Sequence, residues 1–161
     1  MVKRFRVRRA RERDLDRILK IEVASFGVDA YDRKLFAEYT RNCGELFLVA
    51  EGATRVCGYA ITCLCARDAR KGAENRPETH RAELVSLAVD PAVRGKGAAQ
   101  ALMDSILRRL RLRGVLRLGL TVKVTNHRAL SFYRRYGFRK LRRAPRYYED
   151  GADGVILVKD L

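Results

Sequence analysis

Apolar and polar positions repeat along the chain with two periods, and the switches between them outline the fold. Residues 5–9 alternate weakly and predict a first strand. From Arg13 to Phe26, Leu15, Ile18, Leu19, Ile21 and Val23 recur at roughly helical spacing, and Asp14 and Asp16 suit the dipole of a first helical turn. Residues 32–41 predict a second helix with Leu35, Phe36 and Tyr39 as its apolar face, stopped by Gly44. Leu46–Ala50 and Val56–Ala66 read as a hairpin around Glu51-Gly52-Ala53-Thr54. Residues 67–82 are polar with no period, which predicts a mobile loop, and Glu83–Val89 is the next strand.

The second half continues the alternation. A helix carries Ala99, Leu102, Met103, Ile106 and Leu110 on one face, with Arg108, Arg109, Arg111 and Arg113 largely off it, and Gly114 ends it. Val115–Val124 places Leu116, Leu118, Leu120, Val122 and Val124 on one side of a strand. Asn126 is a natural N-cap for a short helix bearing Ala129, Phe132, Tyr133 and Tyr136, closed by Gly137. Phe138–Tyr148 and Val155–Val158 are the last strands, around the turn 149–154. The order β-α-α-β-β-β-α-β-α-β-β predicts a mixed α/β fold, a mostly antiparallel sheet flanked by helices. At 161 residues the chain reads as one domain, 1–161.

The densest chemistry lies between the strand ending at Val89 and the helix that follows. Asp90-Pro91 stops the strand, because proline cannot donate to a ladder. Gly95 and Gly97 allow a tight turn and close approach of a bound group. A helix starting after such a turn aims its unpaired N–H groups at an anion, and Arg94 and Lys96 add charge. The spacing is not that of a Walker A loop, since no Lys-Ser or Lys-Thr follows, and position 100 is Gln where a dinucleotide fingerprint needs glycine.

Arg94-x-x-Gly97-x-Ala99 resembles the pyrophosphate turn of the GNAT acetyltransferases. The whole chain resembles that fold, and 81–161 resembles its N-terminal-amine branch, which includes RimI-like ribosomal-protein alanine acetyltransferases. The matching segments are Ser86-Leu87-Ala88-Val89-Asp90-Pro91, Asn126-x-x-Ala129-x-x-x-Tyr133-x-x-x-Gly137-Phe138 and Tyr147-Tyr148-x-Asp150-Gly151-x-Asp153. The resemblance implies acetyl-CoA as cosubstrate, with no metal. It implies that Leu87, Ala88 and Val89 hold the pantetheine arm through their backbone, that Arg94, Gly95, Lys96, Gly97, Ala98 and Ala99 bind the pyrophosphate, and that Asn126 contacts the coenzyme. Tyr133 would be the general acid toward the leaving thiolate and would also touch the coenzyme. Tyr147 and Tyr148 would line the groove for the acceptor. Phe26, Asp29 and Tyr31, between the first two helices, would help choose its first residue. As adjacent residues of a strand, Tyr147 and Tyr148 point to opposite faces.

The chain departs from the branch at the base. Many members carry Glu or His where this sequence has Thr121, which cannot act as a base near neutral pH. Glu83 shares strand parity with Val85, Leu87 and Val89, so it is expected to be partly desolvated and to accept the proton through water; a solvent-facing glutamate is the alternative. An α-amine with a pKa of about 7.7–8.0 is roughly a tenth neutral at pH 7, whereas a lysine at about 10.4 is not. A site with Thr121 therefore suits a protein or peptide N-terminus. Transfer to a lysine or small amine, and a weakly catalytic acetyl-CoA- or RNA-binding module, are the competing readings.

Composition adds three expectations. Lysine and arginine number 35 against 19 acidic residues, a net charge of +16. That exceeds the need of one coenzyme and points to an anionic surface such as ribosomal RNA or an acidic protein, with a merely solvated basic surface as the alternative. No apolar run approaches the roughly 20 residues of a membrane span, so the expectation is a cytoplasmic protein without a membrane contact. Cys43, Cys57, Cys63 and Cys65 have no metal-ligand spacing; Cys57, Cys63 and Cys65 share one face of a strand pattern and read as buried free thiols, and reduced cysteines agree with a cytoplasmic address.

Overall fold

The structure, a computed structural model, describes residues 4–65 and 80–161. Most of the expected mobile loop lies outside the described residues. Among them the elements follow the predicted order: β1 (Arg6–Arg9), α1 (Leu15–Phe26), α2 (Arg33–Asn42), β2 (Phe47–Glu51), β3 (Val56–Leu64), β4 (Arg81–Val89), α3 (Ala98–Leu112), β5 (Arg117–Lys123), α4 (His127–Arg135), β6 (Arg139–Ala144) and β7 (Gly154–Asp160). Strand pairing runs β1-β2-β3-β4-β5-β7-β6. β4 and β5 pair in parallel, and β1–β2, β2–β3, β5–β7 and β6–β7 are antiparallel. The chain divides into two compact units, Met1–Cys63 with Leu84–Leu110, and Leu64–Glu83 with Arg111–Leu161.

The first unit is built on the apolar run of β2, buried over Phe47, Leu48, Val49 and Ala50, as expected of a strand covered on both faces. Leu15, Ile18 and Ile21 of α1 and Phe36 of α2 join Phe47, Val49, Tyr59 and Ile61 in one core. Phe36 meets Tyr59 edge-on at 5.6 Å between ring centres. Val23, expected on the apolar stripe of α1, is exposed instead. Asp32 caps α2 by accepting the Leu35 N–H at 2.9 Å.

Two of the four cysteines depart from expectation. Cys43, at the C-terminal cap of α2, forms a disulfide with Cys63 near the end of β3. Cys57 is buried and Cys65 half-buried, both free. The strand parity of positions 57, 63 and 65 carried no information about Cys43, which reaches Cys63 only because α2 folds back beside β3. The disulfide removes the cysteine argument for a reducing compartment.

In the second unit β5 alternates, with Leu118, Leu120 and Val122 buried. β7 pairs with it along its whole length, from Arg117↔Asp160 to Lys123↔Gly154. Leu116, expected on the buried face, is exposed and lies outside the strand, which starts at Arg117, two residues later than predicted. β6 is shorter than predicted. It ends at Ala144, because Pro145 cannot donate to the ladder and Arg146 takes a left-handed φ of 48°. Tyr147 and Tyr148 therefore sit in a turn, not on opposite faces of a strand. β4 begins at Arg81, two residues before its predicted start.

Candidate active site

In the first unit the chain leaves β4 through a short 3-10 turn, Pro91–Val93, capped by Asp90, whose carboxylate accepts the Ala92 N–H at 3.0 Å. That bond, then the Arg17 guanidinium that pairs with the same carboxyl, holds Asp90 below the usual carboxylate range. Gly95 and Gly97 follow with φ of 78° and 98°, a region L side chains rarely enter. A side chain added at Gly95 would meet nothing within 4 Å. The two glycines thus serve backbone conformation and leave open space for a group lying on the turn. α3 starts at Ala98, and its first helical bond is Ala101 N–H to Gly97 C=O at 3.0 Å. The amides of residues 98–100 precede that bond and form the positive end of the helix dipole.

Arg94 and Lys96 contribute differently. Arg94 turns back into the unit, donating to the Val89 carbonyl at 3.1 Å and to Ser25 Oγ at 3.2 Å. It braces the turn against α1, while Lys96 is exposed. Upstream, Ala88 and Val89 are buried and Leu87 half-buried. β3 packs close here: a side chain at Gly58 would stand 3.0 Å from the Ala88 carbonyl.

Phe26 ends α1, and Gly27 breaks it with a φ of 54°. Tyr31 is half-buried, stacked near Phe36 and Tyr39, and lines a shallow depression with Ala30, Asp32, Lys34, Leu35 and Glu38. Its backbone N–H donates to Glu22, a carboxyl that the sequence pattern did not single out. Glu22 is buried on the apolar stripe of α1, and desolvation pushes its pKa up to about 7, opposed by the Tyr31 hydrogen bond. Its position four residues after Ile18 and next to Ile21 is the signal that could have marked it: a carboxylate on a helix's buried face.

The second unit holds Tyr133, Tyr147 and Tyr148. Tyr133 is buried on α4, packed edge-on against Phe132 at 5.4 Å and Phe138 at 5.5 Å. Burial first, and Tyr148 second, push its pKa well above the ordinary phenol value, so it stays protonated. Tyr148 meets Tyr147 edge-on at 5.0 Å, and the Lys123 ammonium lies 5.3 Å from its ring centre. Lys123 also pairs with Asp150 at 2.7 Å, which fixes the turn after the tyrosine pair. Gly154 makes the close packing possible. A side chain there would stand 2.8 Å from Thr121 Cγ2 and 3.4 Å from the Tyr147 ring. Thr121 and Tyr147 thus share the space over one glycine.

Asn126 caps α4, its side-chain oxygen accepting the Ala129 N–H at 3.2 Å. Glu83 does not meet its expectation. Along β4, Ala82, Leu84, Ser86 and Ala88 are buried, while Glu83 is exposed and Val85 and Leu87 are only half-buried. Glu83, near the start of the strand, is itself exposed, so it lacks the desolvation expected of it. Among the described residues no group of three or more His, Cys, Asp or Glu could hold a metal ion, and no helix is long and apolar enough to cross a membrane.

The order of these strands and helices is that of the α/β fold of the N-acetyltransferases. Residues 8–138 match the Acetyltransferase (GNAT) family, and the chain belongs to it. This family uses acetyl-CoA as donor. Over 98% of its length the chain is 26% identical to an N-alpha-acetyltransferase of Sulfolobus acidocaldarius, of which the match covers 93%. The crystal structure of Ard1 from Thermoplasma volcanium superposes with a TM-score of 0.86 at 25% identity, covering 98% of this chain and 97% of that one. The ribosomal-protein-S18-alanine N-acetyltransferase of Escherichia coli superposes with a TM-score of 0.78 at 25% identity, covering 98% and 94%.

Proposed function

We propose that the chain is a single N-acetyltransferase domain over 1–161 that moves acetyl from acetyl-CoA to the free α-amine of a protein or peptide N-terminus. The observation that carries this reading is the near full-length similarity to an N-alpha-acetyltransferase. In this reading the amides after Gly97 and the Gly95–Gly97 backbone hold the pyrophosphate, with Lys96 adding charge and Arg94 holding the turn in shape. The Leu87–Val89 backbone holds the pantetheine arm, Asn126 borders the coenzyme, and Phe26, Tyr31, Tyr147 and Tyr148 serve the acceptor.

The neutral amine attacks the thioester carbonyl, a C–N bond forms, and the C–S bond breaks. Tyr133, kept protonated by burial, gives its proton to the departing thiolate. The proton lost from nitrogen leaves through water, with Glu83 as the solvated acceptor. No strong base is needed, because an α-amine with a pKa of about 7.7–8.0 is already partly neutral at pH 7. Lysine transfer would require a base that Thr121 does not supply.

The exposed run Arg139-Lys140-Leu141-Arg142-Arg143 of β6 supports a second part of the reading, docking of this unit on an anionic surface such as ribosomal RNA. Mass spectrometry of a peptide panel varied in its first two residues, incubated with acetyl-CoA, tests the activity. Acetylation confined to free N-termini is the expected result. Glu83→Gln should lower turnover, and an unchanged rate and pH profile would remove Glu83 from the scheme.

A further inference from the structure

Ala144↔Gly154 is the last pair of the β6–β7 ladder, and Pro145, next along, has no N–H to carry it on. The first amide after the proline belongs to Arg146, which holds a φ of 48°. A left-handed backbone is costly for a residue with a Cβ, and it persists only where its surroundings fix it. Asp153 does so. Its Oδ1 accepts the Arg146 N–H at 2.9 Å, and its Oδ2 accepts the Arg143 Nε–H at 2.6 Å. Its own carbonyl accepts the Val124 N–H at 3.1 Å, which anchors it beside the end of β5. Tyr147 follows Arg146 directly. Its backbone is bracketed by two tied amides, that of Arg146 on Asp153 and that of Tyr148 on the Ala152 carbonyl at 3.1 Å. The Tyr147 side chain starts over the bare Cα of Gly154 and is 55% exposed, so its ring is open to a ligand.

We propose that Asp153 is a positioning residue for the acceptor: by holding Arg146 in its left-handed turn, it sets where Tyr147 stands over Gly154. The proposal rests on the assignment of Tyr147 to the acceptor. The bond acts on the residue next to the tyrosine and lies beyond the last ladder pair, so its loss displaces Tyr147 before it disturbs the sheet. Asp150 has a different task. Its Oδ1 accepts the Ala152 N–H at 3.0 Å and its Oδ2 takes the Lys123 ammonium, which closes the far side of the same turn. The two aspartates thus hold Tyr147 and Tyr148 from opposite ends. Position 146 itself supplies the check on this path, because glycine would take the left-handed φ without needing the Asp153 bond.

The test has two readouts. The first is the nuclear Overhauser contact between the Tyr147 ring and the Gly154 Hα protons, which reports the place of the ring without any turnover. It should weaken several-fold in Asp153→Ala and persist in Asp153→Asn, whose side-chain oxygen still accepts the Arg146 N–H. The second is steady-state kinetics with a peptide bearing a free N-terminus. Asp153→Ala should raise the acceptor KM about tenfold and leave the acetyl-CoA KM unchanged, while Asp153→Asn stays within about twofold of the wild type. Adding Arg146→Gly to Asp153→Ala should recover most of the lost acceptor KM. An intact ring contact in Asp153→Ala overturns the proposal, as does an equal rise of both KM values. Asp153→Asn as damaging as Asp153→Ala would overturn it too, since the effect would then belong to the Arg143 ion pair. If the contact weakens as expected but the wild type acetylates no free N-terminus, the hold on Tyr147 stands and the acceptor assignment fails.

Discussion

Arg17 of α1 pairs with Asp90, the residue at which β4 gives way to the glycine turn. The same guanidinium donates to the Val56 carbonyl at 3.0 Å, so one side chain ties the helix, the start of β3 and the mouth of the turn together. Asp90→Asn leaves that guanidinium half-buried without its counter-charge and should cost about 1–3 kcal/mol of stability. If the turn holds the coenzyme, the acetyl-CoA KM should rise several-fold with the acceptor KM unchanged. The Asp90 carboxyl is held low by the Ala92 N–H and by Arg17. Its stabilisation is therefore present above the ordinary carboxylate pKa and is lost as pH falls through the lowered one. Acid unfolding curves of wild type and Asp90→Asn should converge at low pH.

Tyr133→Phe separates chemistry from packing. The ring stays between Phe132 and Phe138, so melting should change little. If the hydroxyl protonates the thiolate, kcat should fall about a hundredfold or more. The wild-type rate should show no descending limb from Tyr133 up to about pH 10, because its phenol ionises well above the ordinary value near 10.

Glu22 makes a stability prediction with a definite sign. Its carboxyl ionises at about 7 in the folded protein and near the ordinary 4.5 once unfolding exposes it to water, so the folded form holds the proton more tightly. The cost of burying the charge is absent below pH 4.5, grows as pH rises, and is complete above pH 7. Relative to the wild type, Glu22→Gln should gain about 3 kcal/mol between pH 4.5 and pH 8, read by denaturant titration at both values.

Gly154→Ala places a methyl 2.8 Å from Thr121 Cγ2 and 3.4 Å from the Tyr147 ring. The methyl cannot fit without moving one of them, so a loss of about 1–3 kcal/mol is expected. Displacement of Tyr147 should raise the acceptor KM more than the acetyl-CoA KM. Calorimetry and initial rates check the two effects separately.

The element order was legible in the sequence because each change of apolar period falls at a turn residue, such as Gly44, Gly114 or Gly137. Boundaries failed where a single residue overrode the pattern. Pro145 ended β6 early, and with it went the opposed placement of Tyr147 and Tyr148. The glycine turn was readable from spacing and proline alone, but the inward direction of Arg94 was not, since it depends on Ser25 lying 69 positions away in sequence. The Cys43–Cys63 disulfide and the hydrogen bond from the Tyr31 N–H to Glu22 were hidden for the same reason: each joins residues that only the packed unit brings together. Glu83 shows the converse, since strand parity grouped it with Val85 and Leu87, which are half-buried, but could not show that position 83 itself is exposed.

The most direct test compares two peptides of one sequence, each with a single amine. One has a free N-terminus and no lysine; the other has a blocked N-terminus and one lysine. Initial rates of acetyl transfer from acetyl-CoA are measured at pH 7.5. The α-amine assignment predicts transfer to the first peptide, with the second at least a hundredfold slower, in line with the gap of about 2.5 pKa units between the two amines. Equal or faster transfer to the lysine peptide would contradict it.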